Sequence, residues 1–286
     1  MRPANMVTSV ADVLAGIAIS GFFTGWPVEF TDVSVVLILC ISTACLYAGG
    51  VVFNDVFDAE LDSVERPERP IPSGTIPVAQ AAILGTVALM LGVSAAFGIN
   101  STSGFLAIAI SICALVYDKW GKHHTILGPL NMGMCRGLNL LLGMSILPDY
   151  ISQQWLIVCI PIVYIASITM ISRGEVHGSN KAPLYAASVL YAVVIGFIFY
   201  YAYSKGMLIF ALFFLIVFAW MIYRPLFRAI NEPAGKNIGK AVKAGVIALI
   251  VMNASWAAAA GVVEAALFIM FLLPLSFWLA KKFAVT

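Results

Sequence analysis

Ten apolar stretches, each close to the length needed to cross a hydrocarbon layer, dominate the chain. They lie at roughly 6–25, 33–54, 77–98, 101–117, 126–147, 151–171, 182–203, 207–223, 239–260 and 262–280. A spanning helix needs about 20 predominantly apolar residues. It must be a helix, because lipid offers no partner to an unpaired backbone group. Ten such segments in 286 residues leave little chain for anything else. The predicted fold is all-α: a polytopic membrane helical bundle of about ten transmembrane helices, with nine as the alternative. It forms a single domain over residues 1–286, and no stretch reads as a soluble domain or low-complexity tract.

The charged residues test that count. Only 10% of residues are charged and the net charge is +2, which excludes a basic surface for nucleic acid. Fourteen of the sixteen Lys and Arg fall on one side of a ten-span arrangement, from Arg2 to Lys282; Lys205 alone falls on the other, and Arg136 lies within the fifth span. Such an excess marks the cytoplasmic side. Both termini and the longer polar loops are therefore expected in the cytoplasm, with the bacterial inner membrane as the location. A nine-span arrangement would put Lys281 and Lys282 on the opposite side. The five cysteines all fall inside spans without metal-ligand spacing and read as reduced packing residues.

The end of the second span carries the first chemistry: Asn54-Asp55-Val56-Phe57-Asp58-Ala59-Glu60-Leu61-Asp62. At 100° per residue, Asp55, Asp58 and Asp62 share about 60° of arc. Like charges on one face repel, and near a bilayer they are costlier still. A cation resolves both problems, and hard oxygen ligands suit Mg²⁺ accompanied by phosphate oxygens. Arg66-Pro67-Glu68-Arg69-Pro70-Ile71-Pro72-Ser73-Gly74 follows at once. Its arginines can fork onto phosphate oxygens. Carboxylates for Mg²⁺ and arginines for an anion make a diphosphate site; a solvated acidic helix end backed by positive-inside arginines is the plainer alternative.

The Asn-Asp-x-x-Asp-x-x-x-Asp pattern followed by Arg-Pro-x-Arg-Pro-Ile-x-Ser-Gly resembles the UbiA superfamily of intramembrane prenyltransferases. The resemblance spans nearly the whole chain. It implies a UbiA-like helical bundle around a lipid-accessible cavity, and Mg²⁺-assisted transfer of a prenyl group from a prenyl diphosphate to an acceptor. It assigns Asn54, Asp55, Asp58 and Asp62 to the first metal–diphosphate site, with Arg66 and Arg69 beside it. Asn5, at the start of the first span, matches a polar family position facing the same site, and Lys122 matches a family lysine that reaches the diphosphate.

The family's second acidic motif, after the sixth span, is altered. The loop reads Ser172-Arg173-Gly174-Glu175-Val176-His177-Gly178-Ser179-Asn180-Lys181. Glu175 takes the place of the first acid of Asp-x-x-x-Asp, while Ser179 and Asn180 offer only neutral oxygens, so a second Mg²⁺ is expected to bind more weakly. Arg173 and Lys181 can contact diphosphate directly. His177 can act as general base for the acceptor, or it merely sits in a glycine-containing turn. This Arg-Gly-Glu-Val-His-Gly loop is similar to that of a bacterial branch, the UbiA-like EboC proteins.

Asn131, Arg136 and Asn139 sit in the fifth span, where a charge needs an internal partner or a wet cavity. Helical spacing lets all three line one cavity; the alternative for Arg136 is a structural ion pair with Asp12. Tyr117 and Asp118 are candidates for the same cavity. Phe197, Phe199, Tyr200, Phe210, Phe213, Phe214 and Phe218 either flank a prenyl chain or pack ordinarily. The expected partners are a prenyl diphosphate donor, a small-molecule acceptor with an aromatic ring or hydroxyl, and membrane lipid, but no nucleic acid. The alternative is a UbiA-like lipid-binding carrier or scaffold without turnover. A transporter would place its ligands near the midplane, whereas these acids gather at one rim.

Overall fold

The computed structural model describes residues 3–24, 30–124, 126–172 and 181–283. These form α1 (Pro3–Ile19), α2 (Phe30–Phe57), α3 (Ala59–Glu65), α4 (Val78–Phe97), α5 (Ser101–Lys119) and α6 (Leu127–Met144). They continue with α7 (Asp149–Gln154), α8 (Cys159–Ser172), α9 (Ala182–Ser204), α10 (Leu208–Asn231), α11 (Gly235–Ala259) and α12 (Val263–Lys282). No strand occurs among the described residues. A helix lies within each of the ten expected spans. The first ends at Ile19, short of the expected residue 25, which lies outside the described residues, and the sixth is α7 and α8 joined by a 3-10 turn at Trp155–Val158.

Eight of the helical stretches are long and apolar enough to cross a membrane. The two expected spans that fall short are α1, with 17 residues, and α6. In α6, Asn131, Arg136, Asn139 and four glycines dilute the apolar character. Both are interior helices, so their partners are protein rather than lipid. The last two spans are separate helices. Gly261, at φ +90°, makes the turn between α11 and α12, a conformation that costs a glycine nothing.

Two apolar groups share α1 and α6. One joins them to α8, α9, α10, α11 and α12 through Leu14, Met144, Tyr164, Ile198, Phe218 and Trp256. The other joins them to α2, α4 and α5 through Ile17, Leu39, Leu46, Leu89, Ala107 and Leu142. α11 is the innermost helix, almost wholly buried. Outward faces of α4, α5, α9, α10 and α12 expose large apolar side chains such as Ile83, Phe105, Val189, Ile209, Phe213 and Phe271. That is the inverse of a water-soluble surface and suits lipid contact.

α1 and α6 cross at glycines. A Cβ on Gly143 would lie 2.1 Å from the Val13 carbonyl oxygen, and one on Gly16 2.2 Å from that of Leu140. Neither obstacle is a flexible side chain, so the backbones themselves would have to part. This is the close approach that small residues permit between membrane helices. Gly143→Val is expected to destabilise the bundle by about 1–3 kcal/mol through overpacking, read as a lowered midpoint of thermal unfolding in detergent; an unchanged midpoint would show that the crossing can relax.

The up-and-down order places Phe57, Lys119, Arg228 and Lys282 towards one end and Ser204 towards the other. Cysteine-accessibility labelling of whole cells should therefore find position 205 on the opposite side from 119, 228 and 282. Labelling 282 together with 205 would contradict the ten-helix arrangement.

Candidate active site

α2 has 28 residues, about 42 Å at 1.5 Å per residue. That exceeds the roughly 30 Å hydrocarbon layer, so its last turns reach the rim. The acidic motif occupies that end. The helix is interrupted at Asp58, which has φ −90° and ψ 0°, and restarts as α3. The break departs from a single uniform helix, yet the register survives. The Asp58 N–H donates to the Asn54 carbonyl (3.0 Å) and the Asp62 N–H to the Asp58 carbonyl (2.8 Å). Asp55, Asp58 and Asp62 therefore keep their shared face.

Each acid is answered by a cation. Arg69 Nη1 donates to Asp62 Oδ2 at 2.6 Å and to Asp55 Oδ1 at 3.5 Å. The loop folds back to allow this, with the Ser73 N–H bonded to the Arg69 carbonyl and the Ile76 N–H to that of Pro70. Lys122, in the short turn after α5, forms an ion pair with Asp58. Asn54 Nδ2 donates to Asp118 Oδ1 at 3.1 Å, tying the end of α2 to the end of α5. Asp62 is buried, Asp58 half-buried, and Asp55 the most open, its side chain 36% exposed. Among the described residues no three acidic, His or Cys side chains converge on one point. The acids are drawn to Arg69 and Lys122 rather than to each other, as like charges require.

Behind this rim lies a cavity of about 410 Å³. Asn5, Asn54, Asp58, Tyr117, Asp118 and Lys122 line its mouth side. Its walls are apolar, from Leu46, Ile110, Ile165, Ile168, Val246 and Leu249. Ser9, Thr43, Arg136 and Asn139 also line it as a second polar group. The Arg136 guanidinium is fixed from behind by Asp12 (2.8 Å) and Thr8 (2.6 Å), so the ion pair weighed as an alternative is present. Asn139 Nδ2 donates to the Ser9 carbonyl and to Asp12, and its Oδ1 accepts from Thr43. Arg136 and Asn139 thus border the cavity while serving a structural network.

Asn131 does not share their cavity face. Its amide, oriented to satisfy both groups, donates to the Cys113 carbonyl (3.2 Å) and accepts from the Tyr117 N–H (3.1 Å). It ties α6 to α5, because 80° of arc from Asn139 is enough to turn it onto the neighbouring helix. Arg66 is exposed, with no carboxylate partner among the described residues, and Lys181 is exposed at the start of α9. Arg173, Glu175 and His177 lie outside the described residues. The aromatic residues of α9 and α10 do not line the cavity: Phe214 and Phe218 are buried in the core, and Phe199, Tyr200, Phe210 and Phe213 face outward.

Sequence reading missed Thr43, Tyr47 and Gly50 as lining residues. A signal existed: Thr43, Tyr47, Gly50, Asn54 and Asp58 recur every three or four positions, one face of α2 leading to the motif.

A model of the UbiA prenyltransferase family matches residues 13–236. A digeranylgeranylglyceryl phosphate synthase of Methanosarcina mazei is 34% identical over 134 residues, covering 47% of this chain and 45% of that protein. The chain spans about half the length of the curated relatives it matches. Among solved structures, the apo form of a UbiA homolog from Aeropyrum pernix K1 superposes with a TM-score of 0.69 at 16% identity, covering 89% of this chain and 98% of that one. A UbiA homolog from Archaeoglobus fulgidus, bound to GPP and Mg²⁺, gives 0.60 at 15% identity over 87% and 98%. These likenesses show the fold.

Proposed function

The chain belongs to the UbiA prenyltransferase family and is an integral membrane protein, and we propose that it transfers a prenyl group from a prenyl diphosphate to an aromatic or hydroxyl acceptor inside the membrane, with Mg²⁺ as cofactor. The observation that carries this reading is the continuity of one cavity from a mouth of carboxylate, lysine and amide groups into apolar walls. A prenyl diphosphate has the same two-part chemistry.

The donor set suits Mg²⁺ in its chemistry: Asp55, Asp58 and Asp62 offer hard oxygens on successive turns, although Asp62 and Asp58 are held by Arg69 and Lys122 and the three do not converge on one point. Asp55, held only at 3.5 Å and the most exposed, has coordination capacity to spare. These three, with Asn54 beside them and Glu175 in the second loop, would hold the metal. When bound, Mg²⁺ supplies neutralising charge for the departing diphosphate.

The chain's own groups do the rest. Lys122, Arg66 and Arg69 engage diphosphate oxygens from the first rim, and Arg173 and Lys181 from the second loop. Asn5 orients the same group from α1. The carbon–oxygen bond breaks with its electron pair leaving on pyrophosphate. The apolar walls keep water from the allylic cation while the acceptor's carbon or oxygen forms the new bond, and His177 takes the proton the acceptor sheds. Pyrophosphate then leaves at the rim, which together with both termini faces the cytoplasm of a bacterial plasma membrane.

The test is pyrophosphate release by the purified protein from GPP or farnesyl diphosphate with Mg²⁺, over a panel of phenols and prenylated glyceryl phosphates. Release that needs Mg²⁺ and one acceptor class is expected. Donor binding without release under any condition would replace the transferase with the lipid-binding carrier.

A further inference from the structure

A second cavity, of about 310 Å³, lies away from the first, over α11 and between α10 and α12. Its rim holds Arg224 and Arg228 from α10 and Lys240 from α11, and no acidic residue lines it. Met221, Ala244, Ile247 and Phe277 give it an apolar bed, with Trp220 at its edge.

The three cations are exposed and have no carboxylate partner among the described residues. Arg224 and Arg228 are four residues apart on one helix face, where like charges repel. Lys240 adds a third positive charge from the neighbouring helix. The acid closest in sequence, Glu232, is occupied by the Asn237 amide at 3.1 Å. Arg224 is held over the Trp220 ring, 5.3 Å from its centroid. That pairing of a cation and an indole belongs at the boundary between hydrocarbon and headgroups. A solvated charge cluster would explain the arginines, but not an apolar trough running from them towards Ile247 and Phe277.

We propose that this groove is a binding site for one anionic phospholipid of the leaflet at the active-site end of the bundle. Its phosphate is taken by Arg224, Arg228 and Lys240, and its acyl chains lie along the apolar bed. Charge complementarity selects the occupant: a zwitterionic lipid brings its own cation to a site that already has three. Basic grooves between membrane helices are general hosts for anionic headgroups.

The test uses the full chain in nanodiscs of phosphatidylcholine, with brominated phosphatidylglycerol or brominated phosphatidylcholine added at equal mole fraction, and follows quenching of tryptophan fluorescence at 150 mM and 500 mM salt. Wild type should be quenched preferentially by the anionic lipid at both salts, since a seated headgroup is screened less than a diffuse one. Trp220→Phe should remove the preference for the anionic lipid, leaving the equal quenching of the other exposed tryptophans, Trp120, Trp155 and Trp278, by either lipid. Lys240→Gln should reduce the preference roughly fivefold, the share of one basic side chain. Ala244→Phe, which fills the groove and keeps every charge, should abolish it. Equal quenching by both lipids in wild type overturns the proposal, as does a preference that survives Ala244→Phe. A preference lost equally in Lys281→Gln/Lys282→Gln also overturns it, because diffuse surface charge would then be the cause.

Discussion

Asp58→Asn is expected to lower prenyl diphosphate turnover by about 10²–10³-fold while the bundle stays folded. Two effects compete at this residue, and their sizes decide the outcome. As a structural element, the Asp58–Lys122 pair joins side chains that are 19% and 17% exposed, between the roughly 0–1 kcal/mol of a surface pair and the roughly 3–5 kcal/mol lost on breaking a buried one. The amide keeps an oxygen acceptor for the lysine, which holds the cost towards the lower end. As part of the site, Asp58 is the one carboxylate of the three that borders the cavity itself. Its loss would weaken the hold on the Mg²⁺ that neutralises the departing diphosphate, and losing one group's worth of such transition-state stabilisation costs about 2.7–4 kcal/mol, the same span as the expected loss in rate. The amide keeps the shape and the Asn54 carbonyl bond of its backbone, so the fold should be indifferent. Asp55→Asn should follow the same course, with less effect on stability still, given its looser bond to Arg69. The measurement is pyrophosphate release from GPP across an Mg²⁺ titration, with circular dichroism and size exclusion on the same preparation. A variant that folds and turns over within about threefold of wild type would remove Asp58 from the site.

The parts of this molecule that sequence made legible are those governed by local rules. Span length and charge asymmetry depend on the bilayer alone, so the ten helices could be placed before any contact was known. The grouping of Asp55, Asp58 and Asp62 follows from helical arithmetic and survived even the break at Asp58, because the backbone bonds across the break keep the four-residue spacing. What escaped is long-range. Nothing in the spacing of Asn131 and Asn139 says which neighbouring helix each will meet; Asn131 turned to α5 and Asn139 to α1 and α2. The aromatic residues of α9 and α10 carry no mark distinguishing core, lipid and cavity faces, and the cavity walls proved to be Leu, Ile and Val. Asn253 was not singled out, although its amide completes the shell of Asp12 across 241 positions of sequence.

That shell sets the second expectation: Asp12→Ala should destabilise the bundle by about 3–5 kcal/mol, the cost of leaving one member of a buried ion pair alone. Asp12 is 2% exposed. Its Oδ2 accepts from Arg136 Nη1 at 2.8 Å and from Asn139 Nδ2 at 3.2 Å, and its Oδ1 accepts from Asn253 Nδ2 at 2.7 Å. Truncation leaves the Arg136 guanidinium with Thr8 alone and takes from the Asn253 amide its acceptor, while Asn139 keeps the Ser9 carbonyl. Removing the charge on both sides should be far milder, since a buried pair replaced by apolar groups is often close to neutral. Asp12→Ala/Arg136→Met is therefore expected to recover most of the loss, read as the midpoint of thermal unfolding in detergent for both single variants and the double. Additive losses in the double variant would show that the two side chains do not act as a pair. The arrangement also explains why so costly a group is kept. Through Asp12, Arg136, Asn139, Thr43 and Asn253, the network fixes α1, α2, α6 and α11 to one another where Arg136 and Asn139 border the cavity. Apolar helices alone slide with little preference, because lipid is as good a partner as protein; a buried charge that is satisfied in one register only gives the cavity a defined shape.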